Sequence, residues 1–465
     1  MGESDGVRSW VPAIRKSDGP VYLAIADALA ADILSGALPE GARLPTQRSL
    51  AVVLGIDFTT VTRAYAEARR RGLIEGRVGQ GTYVRAGRPR LGEAISGGVI
   101  DMSMNLPPRF EDAALAARMW RGIAALETPQ GLDLLLRYQE AGGALADRAA
   151  GAAWLAGRIP SLTPDRVLIC PGAQGALLAV AGLLAAPGDT ICAEALTYPG
   201  FRSLAAHLRL RLAAVDIDGE GVIPASFDAA CRTDRPKALY CTPTLHNPTT
   251  ATMSLSRREA IVAIARAHGV PIIEDDAYGQ LPRHSLPPLA ALAPDLVYHV
   301  AGLAKCLSPA LRVAYLVPPD GRAAARLTAA IRAVTSIASP LTTAIATRWI
   351  EDGTARAVIA AIRDETAARQ EIARSILPAG GFHADPEGFH LWLPLEPPWT
   401  RAEFAARLRS AGIAVVVSDA FALTAAPEAV RLSLGAATTR VELRASLETV
   451  ADLRVQRPAM SSMVV

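Results

Sequence analysis

The chain has 465 residues, 51% of them hydrophobic and 20% charged, with a formal net charge of +3. That is an ordinary globular balance, with length for two or three domains and ample core. It excludes a membrane span, because the longest apolar stretch, Ala176 to Pro187, falls short of the roughly 20 residues a bilayer requires. No secretory leader is readable in Gly2-Glu3-Ser4-Asp5-Gly6. The five cysteines show no CxxC spacing and are odd in number, so small buried thiols in a reducing cytoplasm are expected. The seven histidines lack metal-ligand spacing, so no metal is expected.

The charge is unevenly divided. Residues 1–90 hold 13 Arg/Lys against 9 Asp/Glu, whereas the remaining 375 hold 35 against 36. A basic head on a near-neutral body points to a polyanion as the head's partner. Within the head, Val21–Leu34 places Ile25, Leu29 and Ile33 at helical spacing, and the turn-rich run Ser35–Gly41 ends it. A short helix follows from Thr46 to Leu54, closed by Gly55. A third opens at Thr59 or Thr60 and runs to Arg71, its Arg69-Arg70-Arg71 end solvated and offsetting the C-terminal dipole. Two helices about a tight Gly-containing turn outline a helix-turn-helix. Gly72–Val84, turning at Gly79-Gln80-Gly81, reads as a two-stranded wing.

This head resembles the winged helix-turn-helix of the GntR family of bacterial regulators. The likeness is carried by Gly41, Arg43-Leu44-Pro45-Thr46-Gln47-Arg48, Leu50-Ala51, Leu54-Gly55, Thr59-Thr60-Val61, Arg63-Ala64-Tyr65, Gly72-Leu73-Ile74 and Gly79-Gln80-Gly81-Thr82. It implies a double-stranded DNA operator as partner, with the third helix in the major groove. Arg48, Thr59, Thr60 and Arg63 would be the DNA contacts there, with Gln80 and Gly81 at the wing. Arg63 lies one turn beyond Thr59 and Thr60, so their hydroxyls and guanidinium can reach phosphates and base edges from one face.

The sequence divides into a head over 1–84, a Gly/Pro/Arg-rich linker over 85–100 and a body over 101–465. In the body, short β-rich runs alternate with longer helical stretches. Strands are expected at Arg166–Cys170, Thr190–Ala193, Ala238–Cys241, Val270–Glu274, Leu296–Val300 and Val313–Val317, with helices such as Gln174–Ala186 and Ser256–His268 between them. Such alternation predicts an α/β fold with a mostly parallel sheet and ligand groups at the strand ends. Beyond about residue 320 the chain turns helical. A small α+β segment follows, with strands at Phe389–Leu395, Ile413–Val417 and Val430–Leu434.

Only three lysines stand among the 48 basic residues: Lys16, Lys237 and Lys305. A primary amine can condense with an aldehyde and a guanidinium cannot, which singles out Lys305 within Gly302-Leu303-Ala304-Lys305. Strand-end residues fall where a pyridoxal phosphate site would need them. Asp275 would pair with the pyridine nitrogen and keep it protonated. Tyr278 and Asn247 can reach the ring hydroxyl, the turn Pro171-Gly172-Ala173-Gln174-Gly175 can hold a phosphate at a helix N-terminus, and Arg312 is a natural phosphate partner.

In order and spacing these motifs resemble the fold type I aminotransferases over nearly all of 101–450. The resemblance implies that Lys305 is the Schiff-base lysine and that Tyr198 stacks on the cofactor ring. Ala173, Gln174 and Arg312 would bind its phosphate, and Tyr138 would reach the phosphate of a neighbouring subunit in a dimer. Arg431 would grip a carboxylate. Two departures stand out. The family carries hydroxyl residues just before the lysine where this chain has Gly302 and Ala304, and its Asn-Pro-Thr-Gly pattern ends here in Thr250.

A GntR-like head on an aminotransferase-like body is the architecture of the MocR-type regulators, whose dimer is head-to-tail. The combined reading is a cytoplasmic, pyridoxal phosphate-dependent transcription factor that senses an amine or amino-acid effector at Lys305. The alternatives are a working aminotransferase with a regulatory head, and a repressor whose pocket no longer holds the cofactor.

Overall fold

The computed structural model describes residues 10–12, 21–35, 38–39, 41–70, 73–77, 81–84, 100–128 and 131–456. Contacts divide the chain into two compact units, Met1–Gly98 and Val99–Val465. The linker expected at 85–100 lies outside the described residues, save for Ile100.

The first unit packs three helices, Val21–Ser35, Gln47–Leu54 and Phe58–Arg70, against the antiparallel pair Ile74–Arg77 and Gly81–Val84. Its core gathers Leu29, Leu44, Leu50, Val61, Tyr65, Ile74 and Val84. Thr46 is not the first helical residue but the N-cap, its hydroxyl accepting from Ser49 N at 3.2 Å. Gly55 ends that helix at φ 63°, a left-handed conformation open to glycine at no steric cost. The third helix starts one residue earlier than expected, at Phe58, because the Asp57 carboxylate accepts from Thr59 N at 2.7 Å and supplies the start signal.

In the second unit a seven-stranded sheet runs in the order Leu168–Cys170, Ala314–Val317, Val297–Gly302, Ile272–Asp275, Leu239–Cys241, Thr190–Glu194 and Arg211–Val215. Every neighbouring pair is parallel except those of Ala314–Val317, which runs antiparallel to both of its neighbours. The inner strands are buried along their whole length, as expected of a sheet covered by helices on both faces. Separate apolar clusters form on those faces, one around Ile272 and Tyr315, the other around Ile273 and Leu316. The edge strand Arg211–Val215 carries only one fully buried residue, which hid it from the hydrophobic pattern.

Helices Gly321–Thr335, Pro340–Glu351 and Thr354–Ile376 lead to a four-stranded antiparallel sheet that includes His390–Pro394 and Ala429–Ser433. The strand expected over Ile413–Val417 is two short ones. Ile413–Ala414 pairs in parallel with Ile100–Asp101, and Val416–Val417 pairs with Ala429–Ser433. The start of this unit is thereby tied to its C-terminal segment through a separate two-stranded sheet. Among the described residues no helix is long and apolar enough to cross a membrane.

Candidate functional site

Asp275, Gly302, Thr242 and Gly172 all follow from or sit at the C-terminal ends of parallel strands, and together they ring one cavity. The cavity measures about 230 Å³, far beyond the roughly 10–15 Å³ that one water needs. Its walls bring together Lys305, Asp275, Tyr278, Asn247, Tyr198, Ala173, Gln174 and Arg312, eight residues singled out from the sequence. Gly302 and Ala304 line it too, so the two missing hydroxyls belong to its surface.

Three acids stand in a row at the end of strand Ile272–Asp275, and their partners tell them apart. Glu274 accepts from Leu289 N at 2.7 Å and Ala290 N at 3.0 Å, with His299 Nδ1 2.8 Å away. Asp276 is ion-paired with buried Arg158. Asp275 alone of the three lines the cavity, and it makes no ion pair. Tyr240 donates to its Oδ2 at 2.8 Å, while Oδ1 is buried without a partner. Burial, reinforced by the nearby Glu194 carboxylate, pushes its carboxyl up to about 6.

Lys305 faces this group from the turn after strand Val297–Gly302. Burial, reinforced by the nearby Arg431 guanidinium, brings its amine down to about 8. At neutral pH a useful fraction is then the unprotonated nucleophile. Its Nζ donates to the carbonyl of Asn105.

The opposite end of the cavity is built for an anion. Helix Gly172–Leu184 begins there with no side-chain cap, so the N–H groups of its first turn are free to donate. Gly172, at φ 77°, leaves room for Arg312, whose Nη2 would lie 3.4 Å from a Cβ placed at that position. Arg312 itself is held at φ 52°, a left-handed conformation rarely adopted by a side-chain-bearing residue. Gln174 ties the helix start to the next segment, Nε2 donating to Gly200 O at 2.9 Å. Tyr198 is the N-cap residue of helix Pro199–His207, its ring packed over Gly200.

These features fit pyridoxal phosphate. The orphaned Asp275 Oδ1 lacks the donor that a pyridinium N–H would be, the open helix start with Arg312 suits the phosphate, and Lys305 suits the aldehyde.

Arg431 stands behind the cavity rather than in its wall. It is buried in strand Ala429–Ser433, Nη1 donates to Asn247 Oδ1 at 2.9 Å, Nη2 donates to Ser103 O, and Nε has no partner. Tyr138 is 92% exposed and takes no part in the cavity of its own chain. Sequence reasoning missed Tyr240, whose signal was its place on the strand beside Asp275, and Asn105, which reaches the site from 173 residues before Tyr278.

On the first unit, Arg48 and Thr59 are exposed and Thr60 half-buried at the ends of the two helices flanking the turn. Arg63 is also exposed, and its guanidinium lies over the Tyr22 ring at 4.4 Å. Gly81 opens the second wing strand at φ 117°, and Gln80 lies outside the described residues.

A winged helix-turn-helix and a fold type I aminotransferase-like unit in one polypeptide define a transcriptional regulator built on an enzyme fold. Residues 21–84 match the family of bacterial regulatory proteins named gntR, and residues 109–450 match aminotransferase class I and II. The HTH-type transcriptional regulator YdeF of Bacillus subtilis is 30% identical over 445 residues, which span 94% of this chain and 95% of that protein. MocR of Rhizobium meliloti, named a "probable rhizopine catabolism regulatory protein", is 25% identical over 66% of each chain. The crystal structure of LysN, the alpha-aminoadipate aminotransferase of Thermus thermophilus, shares the fold with a TM-score of 0.69 at 23% identity, covering 77% of this chain and 92% of its own. The chain belongs to the MocR-type, GntR-family regulators with an aminotransferase-like domain.

Proposed function

We propose that this regulator binds pyridoxal phosphate in the cavity of its second unit and uses it to sense an amine-bearing effector. The observation that carries the reading is the pair Asp275 and Lys305. One is a buried carboxylate with an orphaned oxygen, the other an amine lowered to about 8, and they line the same cavity. Pyridoxal phosphate, when bound, supplies an aldehyde that condenses reversibly with amines. Asp275 would hold the pyridine nitrogen in its protonated form, and Asn247 and Tyr278 would hold the ring hydroxyl. Tyr198 would cover the ring, while Ala173, Gln174 and Arg312 would anchor the phosphate. Lys305 would yield its place to the effector's amine, and Arg431 would take an anionic group of the effector once its contacts to Asn247 and Ser103 open.

The DNA-contacting residues in this reading are Arg48, Thr59, Thr60, Arg63, Gln80 and Gly81. A homodimer in which Tyr138 reaches the partner's phosphate site gives that exposed tyrosine a role. Effector binding then biases DNA binding, a coupling between two distinct sites. The first test is spectroscopic. Purified protein mixed with pyridoxal phosphate gains visible absorbance, and borohydride fixes the added mass on Lys305. Protein that gains neither contradicts the reading.

A second reading, an aminotransferase that turns over under a regulatory head, draws on the same lowered Lys305 amine, which can also carry protons. Rapid multi-turnover conversion of an amino acid with a keto acid would establish it. Conversion that stops at or before one equivalent favours the sensor.

A further inference from the structure

Residues 102–106 run across the cavity as a strap whose main chain already occupies the groups a ligand would use. Asn105 O accepts from Lys305 Nζ, and Ser103 O accepts from Arg431 Nη2. Met104 and Leu106, flanking Asn105, contribute apolar wall to the cavity. The strap is pinned on the N-terminal side, where Ile100–Asp101 pairs with Ile413–Ala414 and Ser433 N donates to Met102 O at 3.0 Å.

The side chain of Asn105 explains why the strap holds this position. It is only 4% exposed, and Nδ2 donates to Tyr278 OH at 2.8 Å, with His390 Nδ1 at 3.4 Å. Burial, together with Arg431 nearby, pushes His390 down to about 3, so its ring is neutral. Nε2 lies 3.1 Å from the His246 carbonyl and must be the protonated nitrogen, which makes Nδ1 the acceptor. The amide is thereby fixed with Nδ2 toward Tyr278 and His390. Its Oδ1 is left buried and unpartnered.

We propose that Asn105 is a positioning residue: its side chain, locked on Tyr278 and His390, presents its carbonyl to hold the Lys305 amine, and ligand capture at Lys305 releases the strap. The inference rests on the function proposed above. Condensation of the amine with an aldehyde forms one C=N bond and releases one water, in which both amine hydrogens depart. The trigonal nitrogen that remains carries at most one hydrogen, held in the plane of its C=N bond, in place of the amine's freely rotating donors, so the Asn105 carbonyl loses its partner. A carboxylate at Arg431 would displace the Ser103 carbonyl from the same strap in the same way.

The test is amide hydrogen exchange on the full chain, read at Ser103, whose N donates to Asp101 Oδ1 at 2.9 Å, and at Leu106, whose N donates to Met104 O at 2.9 Å. Pyridoxal phosphate added to the wild type should speed exchange at these amides about five-fold, the factor lost with one ordinary hydrogen bond. Without any cofactor, Lys305→Ala should show the same faster exchange, since the donor is gone. Exchange in strand Ile272–Asp275 should be no faster in either case, which separates strap release from unfolding. Asn105→Ala should exchange fast from the outset and respond no further to pyridoxal phosphate. Exchange at the strap that is unchanged or slower in wild type with captured cofactor, or in Lys305→Ala without it, overturns the inference. Failure of the wild type to capture pyridoxal phosphate at all would instead sink the proposed function, and the cofactor-free Lys305→Ala comparison would still decide whether the strap contact exists.

Discussion

Tyr240 donates its phenol hydrogen to Asp275 Oδ2 across 2.8 Å and leaves Oδ1 of the same carboxylate buried with nothing to accept from. Hydrogen bonding from Tyr240 and the Ala277 backbone does not offset the cost of burying a charge, and the carboxyl is pushed up to about 6 from its ordinary 3.8. A raised carboxyl binds its proton more tightly in the folded than in the unfolded chain. Cofactor-free stability should therefore fall as pH rises from about 3.8 through about 6 and carry the full deficit above that. Asp275→Asn should stabilise the cofactor-free protein by roughly 1–3 kcal/mol at pH 7 and by little at pH 4. Saturating pyridoxal phosphate should reverse the order, because only the wild type supplies an anion to the pyridine nitrogen. Urea unfolding at the two pH values, with and without cofactor, checks both halves.

Thr250 occupies the position where related sequences end their Asn-Pro-Thr-Gly pattern in glycine, and it sits at φ 68°. A β-branched residue is strained there, whereas glycine is not. Thr250→Gly should stabilise the protein by about 0.5–1 kcal/mol, after allowing for the greater chain entropy of glycine in the unfolded state. A fall in the urea midpoint would show that the buried threonine side chain matters more than its backbone strain.

Ala304 and Gly302 leave their stretch of the cavity wall without hydroxyls. Ala304→Ser adds a donor to the cavity wall and should tighten pyridoxal phosphate binding about five- to tenfold. Gly302→Ser should gain less or lose, because a Cβ there lies 3.3 Å from Ala173 Cβ and forces the start of helix Gly172–Leu184 to give. Equilibrium titration of visible absorbance for the two variants separates donor gain from crowding.

On the DNA-binding unit, Arg48 and Arg63 should behave differently although both are exposed cations. Arg48→Ala should weaken DNA binding evenly across sequences and lower the slope of log affinity against log salt by about 0.9. Arg63→Ala should weaken DNA binding and also cost roughly 0.5–1 kcal/mol of folding stability, since its guanidinium packs 4.4 Å over the Tyr22 ring. Equal melting temperatures for the two variants would rule out that second contribution.

Much of this was legible in the sequence for stated physical reasons. Inner strands such as Leu239–Cys241 announced themselves as apolar runs because a parallel sheet is buried on both faces. Asp275, Tyr278 and Arg312 were legible because strand-end polar residues in an α/β unit converge on one crevice. The edge strand Arg211–Val215 was not, since its outer positions are half in solvent. Nor was the split at Val415, where one apolar run serves two sheets. Asn105 and Tyr240 escaped because their partners are set by register and long-range closure, which local periodicity does not encode. Arg431 stood out in the sequence as a lone cation in an apolar strand, while its hydrogen bonds to Asn247 and Ser103 could be seen only in three dimensions.

The central claim, that occupancy of Lys305 is read out on DNA, is tested most directly by binding the full-length protein to the DNA upstream of its own gene. Affinity would be measured without cofactor, with pyridoxal phosphate, and with pyridoxal phosphate plus a panel of amines and amino acids. At least one amine should shift the wild-type affinity by about fivefold or more, within the usual range of coupling between sites. Lys305→Ala should bind the same DNA without cofactor and show no amine-dependent shift. An amine response of the same size in Lys305→Ala would contradict the account.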